Sequence, residues 1–501
     1  MVANLVIKNA RPRLISSIFW NILGQGLPLL VGILTLPSLI HLIGLERFGF
    51  LTLVWVLVGY ASVFDFGISR ALIRIVAVHL ANGDEVRARA SANAGLLFVG
   101  LFGVVIGTAM SLAAAWLLES VLKLPAWLMP EARLSIYLLA CSLPFVMLTT
   151  GYVGLLSAFQ RFKSLNLIKL GMGVASYLGP LAVALQYNSL QAIVGFVLAL
   201  RVIGTVVYAW VCRTDCGFRL SAAWPERAVS HELFRLGGWM SVSNIVGPLL
   251  GYLDRLLLST LVPLRMVAFY ATPFDLISKI MIFPYSVMAA IFPRASAAGS
   301  GTDQARQVFN YSMRMLFLVM FPVLFVFVVL AKPAIESWLG AEFSQQAAPV
   351  MQILAIGVLF NALAQGPATL IQAAGQPRWM AQLHLVELPL FLGLVWWLTS
   401  RYGIIGTAVA SALRNGVDAV AMLLLARRGV IRGPLSFKGA VMPGLLAVLL
   451  FTVALWPTTW PQALPVLLIG VVGFLVFSWF NILLPSERRQ VMSLFKLQLQ
   501  R

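Results

Sequence analysis

Apolar runs long enough to cross a lipid bilayer recur along the whole length of this chain. A transmembrane helix needs about 20 consecutive, mainly apolar residues, and helix breakers such as Gly44, Pro125, Pro263 and Pro457 separate runs of that length. The sequence therefore predicts an all-α, polytopic membrane protein with about 14 transmembrane helices. The predicted spans are 14–40, 48–68, 92–118, 134–158, 165–186, 190–211, 236–260, 267–291, 310–331, 349–374, 380–399, 403–425, 438–456 and 464–484.

The composition indicates that lipid is the solvent of this fold. Hydrophobic residues make up 60% of the 501 positions and charged residues only 11%, whereas a soluble domain is about 25% charged. A soluble fold this poor in charge has too little polar surface to cover itself. The net charge of +19 would suggest a nucleic-acid partner in a soluble protein. Here we expect no nucleic acid, because the basic residues lie between apolar runs.

The lysine and arginine residues alternate in abundance from one predicted connection to the next. With the N-terminus inside, the inner connections carry about four times as many of them as the outer ones. Cytoplasmic connections of membrane proteins are enriched in lysine and arginine. This distribution predicts a multi-pass protein of the cell inner (plasma) membrane with both termini in the cytoplasm.

A weak internal repeat predicts a division into two halves. The segment Leu42-Ile-Gly-Leu-Glu-Arg-Phe-Gly-Phe50 aligns with Leu261-Val-Pro-Leu-Arg-Met-Val-Ala-Phe269, six spans later. An even offset makes both halves run the same way, which implies a pseudo-twofold axis along the membrane normal. The predicted domains are two six-helix bundles at 1–213 and 236–428, a cytoplasmic linker at 214–235, two additional transmembrane helices within 438–484, and a cytoplasmic tail at 485–501.

Charged residues inside the predicted spans are the candidate functional groups, because a charge in lipid is costly and usually faces a cavity or a partner. Asp254 and Arg255 are adjacent on one helix, so their side chains diverge by about 100° and serve different neighbours. The other informative positions are Asp65, Arg201, Asp275, Lys279, Glu387, Arg414 and Asp418.

Two pairs of these residues are four positions apart, so each pair shares one helical face within pairing distance. The pairs are Asp275 with Lys279, and Arg414 with Asp418. Both are compatible with a cavity lining or with structural ion pairs that hold helices together.

Two arginines, Arg70 and Arg74, close the second predicted span on one helical face. They could bind a lipid phosphate at the cytoplasmic mouth, or serve as ordinary cytoplasmic anchors. The chain has three cysteines and four histidines without the spacing of metal ligands, so we expect no metal and no cofactor. It has no Walker-type glycine-rich loop, so we expect no direct use of ATP.

Several segments, taken together in their order and spacing, resemble the Wzx-type oligosaccharide flippases. They are Leu42–Phe50, the stretch from Asp65 through Arg74, Tyr252-Leu-Asp-Arg255, Trp338-Leu-Gly-Ala-Glu-Phe343, Ala374-Gly-Gln-Pro-Arg378 and Tyr402-Gly-Ile-Ile-Gly-Thr-Ala408. The resemblance implies the fold of the multidrug/oligosaccharidyl-lipid/polysaccharide exporter superfamily. In that fold two six-helix bundles enclose a central cavity and alternate between inward-open and outward-open forms. The last two spans resemble additions found in the lipid II flippase branch.

The resemblance also implies a cargo and its partners. The cargo is an undecaprenyl-diphosphate-linked oligosaccharide, moved through the membrane for surface polysaccharide assembly such as O-antigen or exopolysaccharide. Its implied partners are membrane lipids, a polysaccharide polymerase, and a coupling ion, either a proton or sodium. The candidate phosphate-binding cations are Arg70, Arg74, Arg255 and Lys279. The candidate residues for tuning them or for binding the coupling ion are Asp65, Asp254, Asp275, Arg414 and Asp418.

Two other functions stay open at this point. A multidrug or cation antiporter of the same superfamily would need a net acidic cavity, whereas the intramembrane acids and bases here are about balanced. A membrane-embedded glycosyltransferase or polymerase usually carries a large outer loop with catalytic carboxylates, whereas the predicted outer connections are short. We therefore expect a transporter without catalytic residues rather than an enzyme.

Overall fold

The structure is a computed structural model that describes residues 27–61, 68–122, 124–219, 224–227, 229–231, 233, 250–251, 253–298, 301–431, 438–456, 459–485 and 488. Asp65, the beginning of the first predicted span and the end of the predicted C-terminal tail lie outside the described residues. The side chains of Arg70 and Arg74 lie outside them as well, although their backbone is helical.

Helices form all the regular secondary structure of the described residues. The first eight are α1 (Leu27–Ile43), α2 (Leu45–Ala61), α3 (Ile68–Ala81), α4 (Glu85–Trp116), α5 (Met129–Ala158), α6 (Phe162–Tyr187), α7 (Leu190–Cys216) and α8 (253–261). The remaining ones are α9 (Leu264–Ser278), α10 (Ile282–Ala298), α11 (Asp303–Leu339), α12 (Ala341–Ala373), α13 (Pro377–Gly429), α14 (Lys438–Ala454) and α15 (Trp460–Phe477).

Nine helices of the described part of the chain are long and apolar enough to cross a membrane. Each of the nine overlaps a predicted span, and α13 covers two predicted spans. This agreement confirms the all-helical, polytopic membrane architecture. The total of 14 spans and their arrangement in two six-helix bundles stay predictions.

Local capping interactions explain why several helices extend beyond their apolar spans. The backbone N–H of Arg87 donates to Asp84 Oδ1 at 3.0 Å, so α4 begins two turns before its apolar stretch. In the same way the N–H of Ala305 donates to Thr302 Oγ1 at 3.1 Å and starts α11. Gly340, with φ of 91°, ends α11 in a backbone conformation that favours glycine.

The long helix α13 is a hairpin of two helical arms rather than one rod. Gly403 has φ of 57° and ψ of −138°, which breaks the helix between residues 377–402 and 404–429. The hydroxyl groups of Thr399 and Thr407 share a hydrogen bond of 2.8 Å across this turn. A Cβ on Gly406 would collide with the backbone of Leu398, so the arms meet at a position that only glycine allows.

The chain forms two compact units, Met1–Ala268 and Phe269–Arg501. The core of the first unit joins α3, α4, α5 and α7, with Leu72, Leu96, Leu155 and Tyr208 in one buried cluster. Leu233, in the predicted linker, is fully buried in a neighbouring cluster with residues of α3, α4 and α5. The predicted division of the chain by a cytoplasmic linker at 214–235 stays a prediction.

Aromatic rings hold the last two helices of the second unit against α11. Phe321 of α11 lies 4.7 Å from Phe474 of α15 and 5.1 Å from Phe451 of α14, measured between ring centroids. A second buried cluster joins α11, α12 and α13 through Phe309, Ile371 and Met422. The second unit therefore packs α12 and the α13 hairpin against one part of α11, and α14 and α15 against another.

Candidate functional site

Four ionisable side chains meet inside the α13 hairpin, two from each arm. His384 and Glu387 lie three positions apart on the first arm, and Arg414 and Asp418 lie four positions apart on the second. Both spacings place side chains on one face of a helix. The turn at Gly403 reverses the chain, so these two faces are brought against each other.

The closest contacts in this cluster cross from one arm to the other. Arg414 Nε lies 3.8 Å from Glu387 Oε2, and His384 Nε2 lies 3.4 Å from Asp418 Oδ1. The guanidinium of Arg414 also lies over the ring of Phe391, 5.8 Å from its centroid. His384, Glu387 and Asp418 each offer one possible ligand atom, and these three atoms lie within 4.8 Å of one another. This spacing is compatible with a shared bound ion.

The carboxylates of this cluster are buried and incompletely hydrogen-bonded. The side chains of Glu387 and Asp418 are 7% and 9% exposed. Neither oxygen of Glu387, nor Oδ1 of Asp418, accepts a hydrogen bond from the residues that the structure describes. Burying a charged group without hydrogen bonds is expensive. Buried, charged groups of this kind cluster at functional sites, which makes this cluster a candidate site.

The close contacts of Arg414 and Asp418 are with the other arm rather than with each other. The structure brings Arg414 to Glu387 and brings His384 to Asp418, so both close pairs join the two arms. The spacing of four does place Arg414 and Asp418 on one face, as predicted. The turn at Gly403 places that face against His384 and Glu387 on the preceding arm.

Sequence reasoning missed His384 and did not place Glu387 in the site. A usable signal was present, because contacts in an antiparallel hairpin connect residues at similar distances from the turn. Gly403 and the Thr399–Thr407 contact fix that turn. Counting outward from it comes only within about one helical turn of the observed pairs. His384 lies 19 residues before Gly403 and Asp418 lies 15 after it, whereas Glu387 lies 16 before it and Arg414 lies 11 after it.

Asp254 and Arg255 are almost completely buried in α8. They are 1% and 3% exposed, and the backbone N–H of Arg255 donates to Asp254 Oδ1 at 2.8 Å. Their burial agrees with a position inside the protein rather than against lipid. In this conformation neither side chain is open to water, and their role in binding stays a prediction.

Asp275 and Lys279 lie at a change of helix type. Asp275 is half-buried near the end of α9, whereas Lys279 is exposed and begins a short 3₁₀ turn, Lys279–Met281. The pairing of Asp275 with Lys279 stays a prediction. The phosphate-binding roles of Lys279, Arg70 and Arg74 stay predictions, as does the role of Asp65.

The sequence profile of a family described as polysaccharide biosynthesis proteins matches residues 39–348. A protein of Shigella flexneri that carries the provisional name O-antigen transporter is 30% identical to this chain over 417 residues. That alignment covers 83% of this chain and 98% of the relative. The chain belongs to the Wzx-like polysaccharide biosynthesis family. The resemblance inferred from the sequence is thereby confirmed.

Two groups of solved structures share the fold of this family member. The lipid II flippase MurJ, in an inward closed conformation, aligns with a TM-score of 0.72 at 13% identity. That alignment covers 93% of this chain and 97% of the MurJ chain. An inward-facing multidrug resistance MATE transporter of the MOP superfamily aligns with a TM-score of 0.68 at 14% identity. That alignment covers 81% of this chain and 94% of the transporter. These similarities establish the MATE-like, MurJ-like fold of this chain.

Proposed function

We propose that this chain is a flippase that moves an undecaprenyl-diphosphate-linked oligosaccharide from the cytoplasmic to the outer leaflet by alternating access. The observation that carries the proposal is family membership together with the nearly end-to-end similarity to the S. flexneri protein named for O-antigen transport. On this proposal the product supplies surface polysaccharide assembly at the inner membrane, with both termini of the chain in the cytoplasm.

The physical problem that such a protein solves is the passage of a diphosphate through hydrocarbon. The hydrocarbon core is about 30 Å thick, and a charge there is costly unless it faces a cavity or a partner. Cationic side chains along a hydrated path lower that barrier. Arg70, Arg74, Arg255 and Lys279 are the proposed phosphate-binding cations, and Asp65, Asp254 and Asp275 are the proposed tuning groups.

Arg255 gives this proposal a specific structural requirement. Its side chain is buried in the conformation described, so contact with cargo requires a second state in which α8 borders an open cavity. Alternating access supplies such a state, because two bundles that rock against each other open and close one path in turn. Burial of Arg255 in the described conformation also keeps its charge away from lipid.

A complementation experiment tests the proposal. The chain is expressed in a bacterium that lacks the flippase of its own surface polysaccharide but still makes the lipid-linked repeat unit from this chain's native pathway. We expect surface polysaccharide to return with wild type and with Arg255→Lys at reduced level, and not with Arg255→Ala. Arg306→Ala is the control, because Arg306 is partly exposed and pairs with Asp303 in the first turn of α11.

The outcomes of that experiment are distinct. Full activity of Arg255→Ala at normal expression removes Arg255 from the proposed path. Failure of the wild-type chain at normal expression, with the lipid-linked repeat unit present, contradicts the flippase proposal.

A multidrug or cation antiporter of the same superfamily is the second candidate, because a MATE transporter shares this fold. An antiporter of organic cations would lower the accumulation of a fluorescent cation such as ethidium in cells. We expect no such effect from this chain.

A further inference from the structure

The cluster inside the α13 hairpin lies far from both ends of its helical arms. Glu387 is ten residues after Pro377 and Asp418 is eleven residues before Gly429, so each lies about 15 Å along its arm. The hydrocarbon core is about 30 Å thick. For a hairpin that crosses the membrane, both carboxylates therefore lie close to the middle of the bilayer.

The fixed charges of this cluster do not cancel. Arg414 contributes one positive charge, Glu387 and Asp418 contribute two negative charges, and His384 is neutral unless it is protonated. Two carboxylates this close in a buried site cannot both stay ionised at low cost. One added positive charge removes the imbalance.

The hydrogen-bonding groups of the cluster show what form that charge takes. An ionised carboxylate only accepts hydrogen bonds, whereas a protonated one also donates. Both oxygens of Glu387 and Oδ1 of Asp418 are buried acceptors without a donor among the described groups. A proton on Glu387 creates a donor inside a group of acceptors that otherwise only repel one another.

The groups that pack around Glu387 add few other charges to the cluster. Among the described residues, the charged and titratable groups that act on Glu387 are Asp418, Arg414 and His384. In the sequence of α12, which packs along the hairpin, the ionisable residue is Glu342 in the first turn. From α9, Tyr270 reaches the second arm through a 3.2 Å hydrogen bond to Ser411.

A metal ion fits this cluster less well than a proton. Arg414 Nε, 3.8 Å from Glu387 Oε2, would repel a divalent ion bound there. Hard cations such as Mg²⁺ and Ca²⁺ prefer sites built from six or more oxygen ligands, and the cluster offers two carboxylates and an imidazole.

We infer that Glu387 and Asp418 form a binding site for one proton, which His384 and Arg414 regulate. The proton comes from water and binds to a carboxylate oxygen, and the side chain of His384, which is 22% exposed, is the route for its exchange. When Glu387 is protonated, the remaining carboxylate available to Arg414 is that of Asp418. Asp418 lies four positions from Arg414 on the same arm. When Glu387 is ionised, Arg414 pairs with it across the hairpin. The proton thereby changes the attraction between the two arms, and its use as a coupling ion rests on the proposed function.

Infrared difference spectroscopy of the purified full-length protein in lipid nanodiscs tests the proton site without any cargo. A protonated carboxyl group in an apolar site has a carbonyl stretching band that disappears when the group ionises. We expect the wild type to show such a band, which disappears reversibly as the pH is raised. The band should be lost in Glu387→Gln and in Asp418→Asn, and kept in Glu387→Asp.

The control variant is Asp303→Asn, which removes an exposed carboxylate in the first turn of α11 and should keep the band. Size-exclusion chromatography identifies any variant that does not fold, and the remaining carboxyl variant then decides the result. An unchanged band in both Glu387→Gln and Asp418→Asn overturns the inference. So does displacement of the proton by Na⁺ or Mn²⁺ at constant ionic strength, because that result assigns the cluster to a metal ion. Proton binding with no flippase activity would overturn only the proposed function.

Discussion

Arg414 and Glu387 face each other across the α13 hairpin, with 3.8 Å between Arg414 Nε and Glu387 Oε2. The distance is short enough for strong attraction in a buried site, yet the contact lacks the geometry of a hydrogen bond. Protonation of Glu387 removes its negative charge and with it most of this attraction, whereas the positive charge of Arg414 is permanent. The first prediction follows from this asymmetry.

Removing the cation should destabilise the protein more than neutralising its partner. Arg414→Met leaves two buried carboxylates without their counter-charge, so we expect the free energy of unfolding to fall by about 3 kcal/mol. Glu387→Gln mimics the protonated acid and should lower it by less than about 1 kcal/mol. Unfolding of the purified protein in graded SDS measures both values. Equal losses in the two variants would show that Glu387 is needed in its ionised form.

The second prediction concerns an ion pair between α2 and α5. Arg47 donates two hydrogen bonds to Glu131, of 2.9 Å from Nε and 2.6 Å from Nη2, and lies 5.6 Å from the centroid of the Trp127 ring. Bidentate, partly buried pairs are stronger than exposed ones. A double-mutant cycle with Arg47→Ala and Glu131→Ala should give a coupling energy of about 1–2 kcal/mol.

A matched pair is available for comparison in the same unit. Arg133 and Glu119 are about half exposed and share a single 3.0 Å contact. Their coupling energy should be below about 0.5 kcal/mol, because solvent screens exposed pairs. Equal coupling in the two cycles would mean that the bidentate geometry adds nothing at this site.

The third prediction concerns close packing of α4 against α5. Gly103 and Gly107 are four positions apart, and a Cβ built on them would lie 2.5 Å from Pro144 Cα and 2.6 Å from the backbone oxygen of Ala140. Small residues at this spacing let two membrane helices approach closely. Gly103→Ala should therefore force the helices apart and cost about 1–3 kcal/mol.

The control for this packing is Gly473→Ala in α15, where a Cβ would meet no heavy atom within 4 Å. That variant should unfold at the wild-type SDS concentration or slightly above it, because alanine favours a helix. If Gly103→Ala is as stable as Gly473→Ala, the close approach of α4 and α5 does not contribute to stability.

The fourth prediction concerns orientation. Asn188 lies in the turn between α6 and α7, and Gln160 lies in the turn between α5 and α6. In the proposed topology a cysteine at 188 faces outward and a cysteine at 160 faces the cytoplasm. In a cysteine-free background, a membrane-impermeant maleimide should label intact spheroplasts at 188 and reach 160 only after permeabilisation. The reverse pattern would place the termini outside.

The helices were predictable because lipid leaves few alternatives. A chain in hydrocarbon must satisfy its backbone hydrogen bonds internally, so an apolar run of sufficient length is a helix. That argument located α5, α6, α7, α11 and α12, together with both arms of α13. It placed the start of α4 too late, because Asp84 and a polar first turn extend the helix beyond the apolar span.

The charge cluster was only half predictable from the sequence. Periodicity within one helix showed that Arg414 and Asp418 share a face, and it could not show what that face meets. The partners depend on the exact residue at which the hairpin turns, and Gly403 alone does not identify His384 and Glu387 until the arms are placed together. Pairing between helices is a tertiary property that spacing along one helix does not contain.

The most direct test of the central claim is the leaflet distribution of the lipid-linked oligosaccharide in spheroplasts that make it but lack its flippase. A membrane-impermeant reagent that oxidises or binds the glycan reports the fraction in the outer leaflet. Expression of this chain should move most of the oligosaccharide to the accessible side, and Arg255→Ala should leave it protected. If the oligosaccharide stays protected while the wild-type chain is present in the membrane, this chain does not translocate it.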